Sequence, residues 1–133
     1  LATLPLTLKA LKEMGVSARS SSLGAGVATN LNNDGIVLYE AMAVFFIAQV
    51  SGIPLSEGQL IMGALSCIVA SMGITGIPEA GFISLSVVVS TLGLPAEMLP
   101  LLLAVDWMLA RGRSVVNVLS DMTLSIAMDA TDA

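Results

Sequence analysis

Apolar runs separated by short polar or glycine-rich breaks define the elements of this chain. Residues 1–17, LATLPLTLKALKEMGVS, read as the end of one helix, Leu6 to Met14, stopped by Gly15, with Lys9, Lys12 and Glu13 at a wet end. Residues 18–29, ARSSSLGAGVAT, are small and suit a packed half-helix. Asn30-Leu31-Asn32-Asn33-Asp34-Gly35 follows, a cluster of turn formers and oxygen acceptors between two apolar flanks. It reads either as a surface turn or as an unwound break inside a helix over 18–50. The apolar run 36–50 falls short of the ~20 residues that a membrane span requires, and joining it through the break to 22–35 makes it long enough. Freed backbone carbonyls and Asn and Asp oxygens at such a break suit Na⁺. Glu40 reads as a core-facing carboxylate or as one solvated near the break.

The pattern changes after Ser51-Gly52-Ile53-Pro54. Two apolar arms, 60–72 and 82–92, flank the Gly/Pro stretch 73–81, and each is too short to cross a bilayer core of ~30 Å. Residues 56–93 therefore read as a re-entrant helical hairpin whose tip lines a site, because irregular backbone at membrane depth needs protein or water beside it. A soluble helix-turn-helix is the alternative, or two strands, since Val87-Val88-Val89 is β-prone. Gly93-Leu94-Pro95 closes this unit, and residues 95–128 form the last helix. At about 100° per residue Asp106, Ala110, Arg113, Asn117 and Asp121 share one narrow stripe of it, while Val, Leu, Met and Trp dominate the rest. In a membrane such a helix lines a substrate or ion path. Arg111 points away from the stripe, toward water or headgroups. The tail 129–133 is polar and expected to fray.

Composition sharpens this picture. The chain is 56% hydrophobic and 11% charged, with a mean hydropathy of +0.93. Soluble domains carry roughly 25% charged residues, so the membrane class leads. A net charge of −5 offers no basic face for nucleic acid. One cysteine, Cys67, excludes an internal disulfide and a cysteine zinc site, and there is no histidine to act as base or ligand. The Ser/Gly-rich stretch near residue 20 lacks the Gly-Lys-Ser/Thr of a phosphate loop. The chain starts with Leu and reads as an internal or C-terminal piece of a longer protein.

Several stretches resemble the sodium:dicarboxylate symporter family of glutamate/aspartate, neutral amino acid and C4-dicarboxylate transporters. The family's Asn-Met-Asp-Gly-Thr break is similar to Asn32-Asn33-Asp34-Gly35-Ile36, followed by Leu38-Tyr39-Glu40. Its second hairpin tip resembles Ser71 to Gly81, and its last helix resembles Val105 to Asp121. Ala2-Thr3-Leu4-Pro5 matches the stretch after the family's first hairpin.

The resemblance implies roles. Arg113 would bind a substrate carboxylate, for which a planar, permanently charged fork is suited. Asn117 would touch substrate and, with Asp121, hold sodium. Asn32 and Asp34, with Asn30 through its backbone, would complete sodium sites, and Ser71, Met72 and Ile74 would offer carbonyls to another sodium. Ile77 and Pro78 at the tip would lie nearest the substrate, beside Ser114, Ala110 and Ile36. Departures from the pattern are informative. Ala110 stands where amino acid carriers have the aspartate that receives the substrate's amine, which favours a substrate without one, such as a C4-dicarboxylate. Ile36 replaces a threonine and Asn33 a methionine, while Ser114 keeps the hydroxyl of a threonine.

The expected protein is an all-α membrane fold. It is a fragment, 1–133, of an elevator-type transport domain, with a broken transmembrane helix, a re-entrant hairpin and a final amphipathic transmembrane helix. It would be no enzyme but a sodium-coupled symporter of a small anionic solute, dicarboxylate or acidic amino acid. Its expected partners are co-transported Na⁺, the lipid bilayer of the plasma membrane (the inner membrane in a bacterium) and two further copies in a homotrimer. An uncoupled anion channel or a degenerate, non-transporting relative is the alternative.

Overall fold

The computed structural model describes residues 2–72 and 79–132, and these form six α-helices linked by short turns, without strands. Val87–Val89 are helical, so the strand alternative for that stretch does not hold. The tip residues 73–78 lie outside the described residues.

Helix α1 spans Leu4–Glu13. It starts two residues earlier than its apolar pattern suggests, because Pro5 fits the first turn of a helix, where a backbone N–H is not needed. After it, Gly15 adopts φ +86 and the Val16 N–H reaches back to the Leu11 carbonyl at 3.0 Å. That is a left-handed helix stop that a Cβ would strain. Gly52 and Gly93 end two later helices in the same way, with Ile53 N–H on the Ala48 carbonyl and Leu94 N–H on the Val89 carbonyl.

Helix α2, Ala18–Ser21, is capped by Ser17, whose Oγ accepts the Ser20 N–H at 3.2 Å. The chain then widens into a π-turn over Ser22–Val27 and tightens into a 3₁₀ turn over Ala28–Asn30. Residues 31–33 leave the helix, and α3 resumes at Asp34 and runs to Val50. Counted as one interrupted element, Ala18–Val50 is the run among the described residues that is long and apolar enough to cross a membrane. Helices α4, Glu57–Met72, and α5, Ala80–Thr91, are shorter apolar helices that pack on each other and on α3. Ser56 and Gln59 open α4 with a reciprocal capping box, Ser56 N–H to Gln59 Oε1 at 3.0 Å and Gln59 N–H to Ser56 Oγ at 3.4 Å.

Helix α6 spans Leu99–Asp132, behind a 3₁₀ turn at Ala96–Met98. At 1.5 Å per residue it is about 50 Å long. The expected frayed tail is instead helical to Asp132. Asp129 Oδ1 accepts the Ser17 N–H at 3.1 Å and ties the last turns of α6 to the start of α2.

The core lies between α3, α4 and α5, where Ile47, Leu85, Val88 and Val89 are fully buried and Tyr39, Ala43, Val44, Cys67 and Leu92 close around them. Much of the remaining apolar surface faces outward, including Val69, Ile61, Met42, Leu38 and Trp107. A surface this greasy marks contact with lipid or with more protein.

Candidate functional site

Helix α6 carries two polar clusters on one side, and both are completed by residues from the broken helix. The first is built on Arg113. Its Nη1 donates to Asp106 Oδ1 at 2.7 Å and its Nη2 to Asp106 Oδ2 at 3.2 Å, a two-pronged ion pair with side chains 11% and 15% exposed. The two residues lie seven apart, about two helical turns, so they stand one above the other on the same face. The guanidinium also lies over the Tyr39 ring, 4.2 Å from its centroid. On its third side is Gly81 of α5, where a Cβ would come within 3.2 Å of the guanidinium carbon. Arg113 is thus clasped by α6, α3 and α5, and a side chain at 81 would press on its guanidinium. An apolar groove of about 420 Å³ opens beside it, lined by Gly35, Tyr39, Leu109, Gly112 and Val116 among others.

The second cluster surrounds the break. Asp121 is 4% exposed, and its Oδ2 accepts the Thr29 hydroxyl at 2.6 Å while its Oδ1 accepts the Asn32 amide at 2.9 Å. Asn117 Oδ1 accepts the Gly35 N–H at 2.7 Å, satisfying one of the open donors of the first turn of α3. Asp34 accepts the Ser120 hydroxyl at 2.5 Å, and its own N–H points to Asn32 Oδ1 at 3.4 Å. Asn33 turns the other way and donates to the Ser71 carbonyl at the end of α4, 2.9 Å away. Two glycines let the broken helix approach α6 so closely. A Cβ at Gly35 would overlap the Arg113 carbonyl, and one at Gly24 would overlap Ser125.

This second cluster gathers oxygens from two carboxylates, two amides and two hydroxyls. Hard cations bind such sets. Among the described residues no group of three or more His, Cys, Asp or Glu side chains could hold a metal. A donor set with few negative charges and many neutral oxygens suits a monovalent cation better than a transition metal.

The remaining sequence-predicted residues fall as follows. Ala110 and Ile36 are half-buried in α6 and in the first turn of α3. Ser114 is exposed, donates to the Ala110 carbonyl at 3.0 Å, and lines a separate groove with Thr3, Leu6 and Thr7 beside α1. Asn30 is exposed in the 3₁₀ turn, and Met72 is exposed at the end of α4, next to the buried Ser71. Ile74, Ile77 and Pro78 lie outside the described residues. Arg111 is exposed and stacks on Trp107 at 5.2 Å, on the outside of α6. Glu40 is fully buried rather than solvated near the break, and its Oε1 accepts the Ser84 hydroxyl of α5. Tyr39, Thr29, Ser120 and Gly81 complete the two clusters; none of them has a site role in the sequence reading, and Tyr39 and Gly81 enter it only as members of motif stretches. Only Tyr39 carries a signal, an aromatic four residues beyond Gly35 and so near the same face of α3.

The profile of the sodium:dicarboxylate symporter family matches residues 1–131. Excitatory amino acid transporter 3 of Mus musculus is 44% identical over 121 residues, which are 90% of this chain and 23% of that protein. Excitatory amino acid transporter 1 of Homo sapiens is 44% identical over 121 residues, 90% of this chain and 22% of that protein. An excitatory amino acid transporter of Caenorhabditis elegans is 42% identical over the same length, 90% and 24%. The chain spans about a quarter of the length of the curated relatives it matches.

Proposed function

Because the chain belongs to the sodium:dicarboxylate symporter family, a family of membrane transporters and not of enzymes, we propose that it is the C-terminal part of the transport domain of a sodium-coupled symporter for a small anionic solute. The observation that carries this reading is the pairing of two sites on one face of α6: a single clasped cation, Arg113, and an oxygen cluster at the helix break. Gly35 joins them, since its N–H is held by Asn117 and its Cα lies against the Arg113 backbone. A cation that orders residues 29–35 therefore fixes the ground on which the Arg113 side chain stands.

In this reading Arg113 receives a substrate carboxylate through its fork. Asp106 and Tyr39 hold that fork in place and keep a buried charge from being unpaired. Sodium sits among Asp121, Asn117, Asn32 and Asp34, with Thr29 and Asn30 beside it. Helices α4 and α5 are the arms of the re-entrant hairpin, and the broken helix and α6 both cross the plasma membrane. Family resemblance adds a homotrimer.

Ala110 points to the substrate class. It offers no carboxylate at its place on the stripe, and the neighbouring carboxylate, Asp106, is fully engaged by Arg113. An ammonium there would be desolvated without a partner, which costs several kcal/mol. A C4-dicarboxylate without an amine avoids this. The test is binding of radiolabelled succinate and aspartate to the purified full-length protein, with and without Na⁺. Sodium-dependent succinate binding that Arg113→Ala abolishes supports the reading. Preference for aspartate would overturn the role given to Ala110. Absence of sodium-dependent binding would favour an uncoupled or non-transporting relative, a reading consistent with Asp106 occupying both prongs of Arg113.

A further inference from the structure

The turn that delivers Thr29 to Asp121 carries one residue more than the contact needs. Gly24 packs on Ser125 and Thr29 bonds to Asp121, so residues five apart on the broken helix meet residues four apart on α6. Four apart on an α-helix is one face. Five apart is not, since the later residue stands about 140° round the axis from the earlier one. The π-turn over Ser22–Val27 removes the mismatch, because bonding from i to i+5 takes up one extra residue per turn. At its end, N–H groups reach back to the Leu23 and Ala25 carbonyls. The 3₁₀ turn then tightens the chain, and the Leu31 and Asn32 N–H groups share the Ala28 carbonyl at 2.7 and 2.6 Å. Residues three apart eclipse in such a turn, and Thr29 and Asn32 accordingly reach the two oxygens of one carboxylate, Asp121.

One end of this segment is fixed. Gly24 is buried against Ser125, which is itself fully buried and donates its hydroxyl to the Asp121 carbonyl at 2.9 Å. The middle is loose, since a Cβ at Gly26 would meet nothing within 4 Å. With one residue fewer between 24 and 29, a plain α-turn would set Thr29 on Asp121 equally well. The chain instead keeps two glycines and a π-turn, both of which cost helical stability. A costly residue that the contact does not require is accounted for by a change of contact. We propose that the π-turn is the moving part of the oxygen cluster: when its extra residue passes on to residues 31–33, Thr29 turns away from Asp121 while Gly24 stays on Ser125. Residues 31–33 are already outside the helix and can take up the slack. The turn amounts to one α-helical residue, about 100°. This device rests on the sodium-coupled reading given above and adds the step that lets the cation go: sodium among the oxygens holds the π-turn, and loss of the π-turn scatters the oxygens.

The test uses the full-length purified protein as wild type, as a variant lacking Gly26, and as Gly26→Ala. Amide hydrogen exchange of residues 22–32 is followed in sodium chloride and in choline chloride. Radiolabelled succinate is followed in binding and in uptake by proteoliposomes. In the wild type, sodium should slow exchange in this segment by about tenfold or more. Without Gly26, exchange should be equally slow in both salts, sodium-dependent succinate binding should stay within about threefold of wild type, and uptake should fall by about tenfold or more. A static spacer would not separate binding from uptake in this way. Wild-type exchange that ignores sodium, or uptake at the wild-type rate without Gly26, would overturn the proposal. So would joint loss of binding and uptake in a folded variant, which would make the extra residue a fixed part of the cluster. If the deletion does not fold, Gly26→Ala carries the test, because its methyl enters open space and stiffens the turn: uptake several-fold slower with binding retained is expected, and unchanged uptake counts against the device. If the wild type binds and takes up neither succinate nor aspartate, the symporter reading fails, and the sodium response of exchange in residues 22–32 still decides the role of the π-turn.

Discussion

The two halves of the packing around α3 and α6 are built by different rules. Between α3, α4 and α5 the contacts are mostly aliphatic side chains against one another, with Glu40 and Ser84 as a buried polar pair among them. Between α6 and the broken helix the contacts are glycine against backbone, joined by Asp121, Asn117, Thr29 and Asn32. Apolar interdigitation tolerates exchange of one aliphatic residue for another, because volume and shape matter more than identity. A seam of close backbone approach and paired polar groups does not, because each member has one partner and one geometry. In lipid the difference deepens, since apolar contacts gain little over contact with acyl chains while small-residue packing and interhelical hydrogen bonds hold helices together. The core fixes the shape, and the seam fixes the chemistry.

The sharpest way to break the comparison is to remove one member of the Arg113–Asp106 pair. Asp106→Ala leaves a guanidinium nearly buried without its carboxylate, and Arg113→Ala does the reverse. Each should cost about 3–5 kcal/mol, with loss of anion binding in both. The double variant should regain much of the stability, measured by thermal unfolding in detergent, and none of the binding. Single variants as stable as wild type would show that the pair is solvated and not part of a buried seam.

Next comes Gly35→Ala. The added methyl meets the Arg113 carbonyl and Cα, backbone that cannot turn aside. A loss of about 1–3 kcal/mol is expected, as for other overpacked positions. The same methyl should weaken sodium binding, because Asn117 holds the Gly35 N–H. A smaller effect is expected in the core. Ile47→Val removes one methylene from a fully buried site and should cost about 1 kcal/mol, with anion and sodium binding unchanged. If Ile47→Val altered sodium binding as strongly as Gly35→Ala, the division between core and seam would be wrong.

The division also explains what could be read from the sequence. The helical class, the helix stops at Gly15, Gly52 and Gly93, and the break around residues 30–35 follow from turn chemistry and apolar runs, which are local. The stripe Asp106, Arg113, Asn117 and Asp121 follows from helical period, also local. The contacts that give the stripe its partners are not local. Tyr39 under Arg113, Asn33 on Ser71 and Gly24 on Ser125 each join elements far apart in sequence, and no period or spacing relates them. Ser114 shows the same limit from the other side. It lies one residue from Arg113, yet one residue is about 100° of helix, and that turns its hydroxyl toward the groove beside α1. The tail shows a related limit, since its polar residues carry no sign of the bond between Asp129 and Ser17.

That bond gives the smallest effect and the one with a pH signature. Asp129 lies in the last turns of α6, where the helix dipole disfavours a carboxylate, yet its Oδ1 accepts the Ser17 N–H at the start of α2, where the dipole favours one. The hydrogen bonds from Ser17, first the side chain and then the backbone N–H, hold its carboxyl below the usual carboxylate range. A folded-state value below the unfolded one means that the ionised form favours the folded state. The contribution is therefore complete above the ordinary carboxylate value of about 4, and it is lost as pH falls through the lower folded value. Asp129→Ala should lower the melting temperature slightly at neutral pH, and the gap from wild type should close in strong acid. High salt should also narrow it, because the carboxylate is only partly buried and ions reach it. A gap that stays constant with pH would assign the bond's effect to geometry alone, and the end of α6 would then belong with the apolar core rather than with the polar seam.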